Sequence, residues 1–157
     1  MVLTPHMLVG AAIGSKIHNF WIIFILGILS HFILDRLPHW EYGRHIKFTN
    51  LTHKEFTIFS LKAFLDLGLG TFFIACFFYG TPDYWYALWG ALAGILPDGL
   101  LFLFIFLLVL FDQKINWLEK YYNFHKKNHS PENKNSLAQG IIVEGLAVIL
   151  SLLIFFI

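Results

Sequence analysis

Four long apolar stretches dominate this sequence, at about residues 19–35, 56–79, 84–111 and 136–157. An α-helix needs about 20 mostly apolar residues to cross the hydrocarbon core of a bilayer. The composition agrees, because 57% of the 157 residues are hydrophobic and 13% are charged, whereas a soluble domain is about a quarter charged. We therefore expect an all-α fold, a polytopic membrane bundle of four to five helices in which residues 1–157 form a single domain.

A shorter apolar stretch at about residues 4–16 precedes these four. Thr4 is a suitable N-cap and Pro5 suits the first helical position, so a helix is expected to begin here. Its length would be about 20 Å, so we expect a tilted partial span or a re-entrant segment. Two pairs of glycines, each spaced by four residues, would let helices approach closely: Gly10, Gly14, Gly90 and Gly94.

The two polar segments, at about residues 36–55 and 112–135, are rich in lysine and arginine, whereas the turn at 80–83 has neither. Short basic loops stay on the cytoplasmic side of a membrane. We therefore expect both long loops to be cytoplasmic and the protein to reside in a bacterial inner membrane. The net charge of +1 gives no global field that would attract nucleic acid, so nucleic acid is not an expected partner.

Several ionisable residues lie inside or at the ends of the apolar stretches, where a charge costs roughly 3 kcal/mol or more. They are His6, His31, Asp35, Lys62, Asp66, Asp98 and Glu144. Residues that carry such a cost need partners, which are either one another or a shared cation. The choice between these two readings decides what the sequence predicts about function.

The clearest pair is His31 and Asp35, which are four residues apart and share one helical face. An imidazole and a carboxylate in this arrangement can bind zinc or a similar ion. A simple ion pair at the helix end is the alternative. His39 follows the expected helix end at Pro38 and is a further candidate ligand, or else part of an interfacial aromatic belt. His6 is expected at the same cytoplasmic end, where it can meet this pair.

Three further carboxylates lie deeper in the predicted helices. Asp98 follows Pro97, where we expect the helix to break and to line protein or water, so Asp98 is a candidate metal ligand. Asp66 and Glu144 are candidates for a catalytic base. An ion pair with Lys62, one turn earlier, is the alternative for Asp66. A polar clasp to another helix is the alternative for Glu144.

His125 and His129 are four residues apart in the second polar segment. If residues 117–128 are helical, both imidazoles face the same way, as in many metal sites. The neighbouring lysines also fit a plain solvated basic segment. Taken together, so many histidines and carboxylates in a chain with little else polar favour a metal site.

Four short motifs, spread over most of the chain, resemble those of a known family: Thr4-Pro5-His6, Ser30-His31-xxx-Asp35, Leu96-Pro97-Asp98 and His125-xxx-His129-Ser130. That family is the bacterial membrane-bound metal-dependent hydrolases typified by YdjM and YbcI, which is itself distantly similar to zinc-dependent phospholipase C. The run from His31 to His39 also resembles the His-xxx-Asp element of that enzyme, followed by proline and histidine. The resemblance implies a membrane-bound hydrolase that uses a divalent metal.

The function expected from this sequence is a metal-dependent hydrolase at the cytoplasmic leaflet. One or more divalent ions, with zinc as the first candidate, would be held by the predicted ligands: His6, His31, Asp35, His39, Asp98, His125 and His129. A site at lipid depth indicates a membrane lipid or a lipid-linked phosphodiester as the substrate. The alternatives are a metal or proton transporter, for which a homo-oligomer would supply enough helices, and a non-enzymatic membrane scaffold.

Overall fold

The computed structural model describes residues 1–42, 51–129 and 137–157, and their regular secondary structure is entirely α-helical. Six helices follow one another along the chain: α1 Leu3–Lys16, α2 Phe20–Leu34, α3 His53–Phe78, α4 Tyr84–Phe111, α5 Asn116–Asn128 and α6 Leu137–Phe155. The all-α prediction is confirmed, but the described residues contain six helices rather than four or five. The additional helix is α5, in the second polar segment. Residues 43–50 and 130–136 of the expected loops lie outside the described part.

Three helices, α3, α4 and α6, are long and apolar enough to cross a membrane. The apolar helix α2 is shorter, with 15 residues, and α1 has 14, as expected for a short first helix. Large apolar side chains point outwards from the bundle, among them Trp21, Phe72 and Leu146, which are all more than half exposed. An extended apolar surface of this kind suits a lipid solvent.

The short helix α1 lies at the centre of the bundle and packs against α2, α3, α4 and α6. Its most extensive contact is with α4, through the two glycine pairs. A Cβ atom at Gly10 would overlap the carbonyl group of Gly90, and one at Gly94 would lie 2.6 Å from the carbonyl oxygen of His6. The two small-residue faces therefore pack against each other, which confirms the predicted close contact.

The long helix α4 continues through Pro97, so the predicted break at this residue is wrong. Two side chains from neighbouring helices bond carbonyl groups near the proline. Nδ1 of His31 lies 2.9 Å from the carbonyl oxygen of Gly94, and the hydroxyl of Tyr121 donates to the carbonyl of Pro97 at 2.9 Å. Polar partners of this kind allow a proline to remain inside a membrane helix.

The chain reverses direction after α4 and returns alongside it. Asp112 follows α4 in the left-handed conformation, with φ of 50°, which aspartate adopts more readily than most residues. The helix α5 then runs back along α4, with Leu118 fully buried against Phe104 and Ile105. One face of α5 is therefore turned towards the middle of α4, where Asp98 lies.

Two helices begin earlier than the sequence pattern predicts. The N-cap of α1 is Val2 rather than Thr4, and the Thr4 hydroxyl instead contacts Asp66 of α3. The third helix begins at residue 53 rather than near 56, because Thr52 and Glu55 form a capping box. At α3 the polar capping residues extend the helix beyond its apolar stretch, and at α1 the carboxylate of Asp66 accepts from the N–H of Leu3, where the helix begins.

Candidate metal centre

Asp35 lies at the centre of a buried cluster of histidines at the C-terminal end of α2. It is the C-cap residue of that helix and is 2% exposed. Its Oδ2 atom lies 3.1 Å from Nε2 of His31 and 3.3 Å from Nε2 of His125. The helices α2 and α5 therefore bring two imidazoles to one carboxylate oxygen.

Asp98 completes this group from α4. Its Oδ1 atom lies 3.7 Å from Nε2 of His31 and 3.7 Å from Nε2 of His125. One ligand atom from each of the four residues lies within 4.8 Å of the other three. The helices α2, α4 and α5 thus converge on one point.

A backbone carbonyl determines the tautomer of His31. Its Nδ1 atom contacts the carbonyl oxygen of Gly94, and because a carbonyl only accepts hydrogen bonds, Nδ1 carries the proton. The Nε2 lone pair then faces the carboxylates of Asp35 and Asp98. Nε2 of His31 and Oδ2 of Asp35 are buried and have no hydrogen-bond partner among the described residues. The lone pair of this nitrogen and the carboxylate oxygen repel each other, and a proton or a cation between them would remove the repulsion.

Four of the six distances between these ligand atoms are close to those around a tetrahedral ion, and all six lie within 4.8 Å. Zinc binds nitrogen and oxygen ligands at about 2.0–2.2 Å, which places neighbouring ligand atoms about 3.3–3.6 Å apart. The four contacts described above span 3.1–3.7 Å. Two imidazoles and two carboxylates are also a donor set that zinc accepts. The residues therefore fit a divalent ion.

A second group of ligand atoms shares Asp35. It consists of Asp35, His39 and His129, with Nε2 of His39 lying 3.2 Å from Nε2 of His129. Nδ1 of His39 donates to the carbonyl of Leu37 at 2.8 Å, which again leaves an Nε2 lone pair facing the cluster. Glu41, which no sequence motif singled out, lies beside this group with its Oε2 3.8 Å from Nε2 of His129.

The imidazoles of the second group are neutral at pH 7. Burial, the amino group of Met1 and the neighbouring His129 lower the pKa of His39 to about 3. Burial, followed by the same amino group, also lowers the pKa of His129. Metal ligation requires a neutral imidazole, so both residues are in the protonation state that a ligand needs.

His6 reaches the cluster from α1, on the other side of Asp35. Its Nε2 atom lies 3.2 Å from Oδ1 of Asp35, and its ring stacks on that of His31 with 4.2 Å between centroids. The amino group of Met1 lies 3.3 Å from the same oxygen. Oδ1 of Asp35 is thus held by these partners while Oδ2 faces His31 and His125, so His6 is placed to orient the carboxylate.

No family model, no curated protein and no solved structure matches this chain. The function of this protein is therefore inferred from the geometry of the cluster and from the sequence motifs. Of the seven ligands expected from the sequence, six lie in the two groups, and His6 contacts Asp35. The structure thus places all seven side chains in or beside one cluster.

The two residues expected to act as bases, Asp66 and Glu144, belong to neither group among the described residues. The carboxylate of Asp66 accepts hydrogen bonds from the start of α1, so it has partners other than Lys62. Glu144 accepts a hydrogen bond from the backbone N–H of Trp40 at 3.0 Å. Asp66 therefore contacts the backbone just before His6, and Glu144 contacts the residue just after His39.

Proposed function

We propose that this protein is a membrane-embedded, metal-dependent hydrolase whose divalent ion, with zinc as the first candidate, is held by four residues: His31, Asp35, Asp98 and His125. The observation that carries the proposal is the convergence of these side chains from three helices, with buried ligand atoms that lack a hydrogen-bond partner among the described residues. A structural ion pair needs only two groups and satisfies both. A shared cation accounts for all four.

The sequence motifs that resemble the YdjM/YbcI-like hydrolases support the same proposal. They lie far apart along the chain, yet each contains a side chain that belongs to one of the two groups or contacts Asp35. Motifs that served only local helix ends would have no reason to meet. Their convergence favours a common chemical task.

When bound, a divalent ion lowers the pKa of a coordinated water towards about 7 and polarises a phosphoryl or acyl oxygen. The surrounding residues hold its ligands in place. The carbonyl of Gly94 orients the ring of His31, and that of Leu37 orients the ring of His39. His6 orients the carboxylate of Asp35. Outer partners of this kind set ligand direction and basicity.

Asp98 and Glu41 mark the accessible side of the centre. The side chain of Asp98 is 20% exposed and that of Glu41 is 26% exposed, whereas Asp35 is 2% exposed. A substrate would approach from this side. Glu41, which lies beside His129, is placed to accept a proton from an attacking water molecule.

The substrate in this proposal is a lipid or a lipid-linked phosphodiester. The centre lies between the apolar helices α2 and α4 and the polar helix α5, so a substrate that is already in the bilayer reaches it without first leaving water. The lysines around α5 favour the cytoplasmic side for this end of the bundle. The protein would then act on the cytoplasmic leaflet of a bacterial inner membrane, with both long loops cytoplasmic.

Metal analysis of the detergent-purified protein tests the proposal. We expect at least one tightly bound ion per chain, lost in His31→Ala and in Asp98→Ala. His18→Ala is the matched control, because His18 pairs with Asp83 on an exposed part of the bundle, and it should keep the ion. Hydrolysis of phosphodiester lipids in mixed micelles should stop on chelation and return when zinc is added.

Other results would assign another function. Weak, exchangeable metal together with metal uptake into liposomes would indicate a transporter. A folded wild-type protein without metal would overturn the proposal and leave a membrane scaffold, in which the polar residues only hold helices together.

A further inference from the structure

The start of α1 is half-buried at Val2 and Leu3 and buried at Thr4, so its backbone N–H groups need acceptors inside the protein. The first N–H groups of any helix have no acceptor within the helix. Here they belong to Val2, Leu3 and Thr4, because Val2 is the N-cap residue and Pro5 has no N–H. The partners of these donors determine how firmly the first turn, which carries His6, is held.

Asp66 of α3 accepts two of these hydrogen bonds. Its Oδ2 atom accepts from the N–H of Leu3, and its Oδ1 atom accepts from the N–H of Thr4 at 3.2 Å. The hydroxyl of Thr4 lies 2.5 Å from Oδ1. Both carboxylate oxygens are therefore engaged, and a negative charge at a helix N-terminus is also favoured by the helix dipole. Asp66 acts as a cap that a neighbouring helix supplies.

Glu144 of α6 makes a similar contact with the segment that follows α2. Its Oε1 atom accepts from the N–H of Trp40 at 3.0 Å, and the backbone of Val2 also donates to this carboxylate. Gly140, one turn earlier on α6, is so close that a Cβ atom there would lie 2.7 Å from backbone atoms of His39 and Trp40. The helix α6 therefore holds this segment by direct packing and by hydrogen bonds.

We infer that Asp66 and Glu144 are positioning residues of the metal centre rather than its bases. Asp66 binds the backbone that leads into His6, and Glu144 binds the residue after His39. Loss of either contact would let one histidine move relative to Asp35. Each carboxylate thus sets the geometry of the centre through the main chain. The inference rests on the proposed metal centre, but its contacts can be tested without metal.

The contacts of Asp66 argue against a role as base. A catalytic base needs a lone pair within reach of the reacting water, whereas the Asp66 oxygens are occupied by main-chain and hydroxyl donors. A contact that served only to stabilise the fold would have a different signature. Its loss would lower thermal stability and leave the metal centre of folded molecules unchanged.

The variants Asp66→Asn and Glu144→Gln keep the shape of each side chain and alter the acceptor. In Asp66→Asn an amide NH₂ group must face one of two main-chain donors, whereas Glu144→Gln keeps an oxygen for Trp40. We expect the dissociation constant for zinc to rise about 10-fold or more in Asp66→Asn and less in Glu144→Gln. The visible spectrum of the cobalt-loaded protein should change in both. Asp83→Asn, which alters the exposed pair with His18, is the matched control and should change neither.

Thr4 provides a pair of variants that tests the same contact from the other side. Thr4→Ser keeps the hydroxyl that contacts Asp66 and should bind zinc as the wild type does. Thr4→Val keeps the shape without the hydroxyl and should bind zinc several-fold more weakly. If serine weakened binding as much as valine, the hydroxyl contact would not be the cause and this part of the inference would fail.

Hydrogen exchange and imidazole NMR signals of metal-free protein separate this inference from the proposed function. Asp66→Asn should speed exchange at the amides of Leu3 and Thr4 and shift the ring signals of His6. If exchange and ring signals stayed as in the wild type, the inference would be wrong even for a protein that binds zinc.

Glu144→Gln should produce smaller changes of the same kind at the amide of Trp40 and in the ring of His39, because a neutral amide oxygen accepts a hydrogen bond more weakly than a carboxylate. Faster amide exchange and shifted imidazole signals in a protein that never binds zinc would support the positioning contacts. The same result would count against the proposed function. Faster exchange with unchanged rings, zinc affinity and cobalt spectrum would show a purely structural role and would overturn the inference.

Discussion

Two regions of the bundle each place a histidine beside an aspartate, but their surroundings differ. In one, Nε2 of His18 lies 2.8 Å from Oδ1 of Asp83, and these side chains are 56% and 38% exposed. In the other, His31 and Asp35 lie 3.1 Å apart and are 0% and 2% exposed. Water can solvate every member of the first pair. The second has only protein around it, together with further histidines and a second carboxylate.

The difference shows that closeness of a histidine and an aspartate does not by itself identify a metal site. An exposed pair contributes at most about 1 kcal/mol, because solvent screens it. Each charge in a buried pair carries a desolvation cost of several kcal/mol unless other groups compensate for it. The buried cluster contains ligand atoms that have no hydrogen-bond partner among the described residues, and this feature distinguishes it from the exposed pair.

The largest effect is expected for Asp35→Asn. Asp35 belongs to both groups of ligand atoms, and loss of an outer partner alone weakens metal binding 10- to 100-fold. Loss of the shared carboxylate should therefore weaken zinc binding by more than about 100-fold, measured by competition with a chromophoric chelator. Asp83→Asn, the equivalent change in the exposed pair, should bind as the wild type does. Equal affinities in the two variants would remove the distinction between the regions.

A second expectation concerns the glycines that join α1 to α4. Gly94→Ala places a methyl group against the carbonyl of His6, whereas Gly14→Ala places one against the backbone of Tyr86, away from the cluster. Both should destabilise the fold by about 1–3 kcal/mol through overpacking. Only Gly94→Ala should also weaken zinc binding. Thermal unfolding and zinc titration of each variant check this. If Gly14→Ala weakened zinc binding as much as Gly94→Ala does, the expectation would be wrong.

A smaller effect is expected for Tyr121→Phe. The change removes the hydrogen bond from α5 to the carbonyl of Pro97, which is worth about 1 kcal/mol, and it loosens the helix that carries His125. Zinc affinity should fall several-fold. Tyr122→Phe is the control, because the ring of Tyr122 packs on Phe104. If both variants behaved alike in the zinc titration, the Tyr121 hydroxyl would have no part in holding α5.

The smallest effect is expected for His18→Ala, in the exposed pair. Its cost in unfolding free energy should be below about 1 kcal/mol and should shrink further at high salt. Denaturation of the purified protein at two ionic strengths measures it. A larger, salt-independent loss would mean that the exposed pair is more than a solvated contact and would weaken the comparison.

The apolar stretches predicted most of the helices, because the pattern that forms a helix is local in the sequence. The spacing of His31 and Asp35 on one helical face, and the glycine pairs of α1 and α4, follow from helix geometry alone. The helix starts were less predictable, because Thr52 and Glu55 cap α3 outside its apolar stretch. The predicted break at Pro97 did not occur, and α2 and α5 supply hydrogen-bond donors to the carbonyls of Gly94 and Pro97 beside it.

The roles of the deep carboxylates could not be read from position alone. Asp66, Asp98 and Glu144 all lie within apolar helices, and the sequence set only Asp98 apart, as a candidate ligand beside Pro97, while Asp66 and Glu144 were expected to be bases. In the structure, Asp98 faces two histidines, whereas Asp66 and Glu144 face main-chain N–H groups. Glu41 was missed because it lies in a polar segment, where a carboxylate attracts no notice.

The sequence by itself determined that the chain forms helices suited to a bilayer and that a few polar residues there need partners. In hydrocarbon each backbone group must find its hydrogen bond within its own segment, so long apolar stretches leave little choice but helix. Only the tertiary structure decided which partner each polar residue has. That choice depends on distances between helices that are remote in sequence, and close packing of α1 on α4, together with the return of α5, sets those distances.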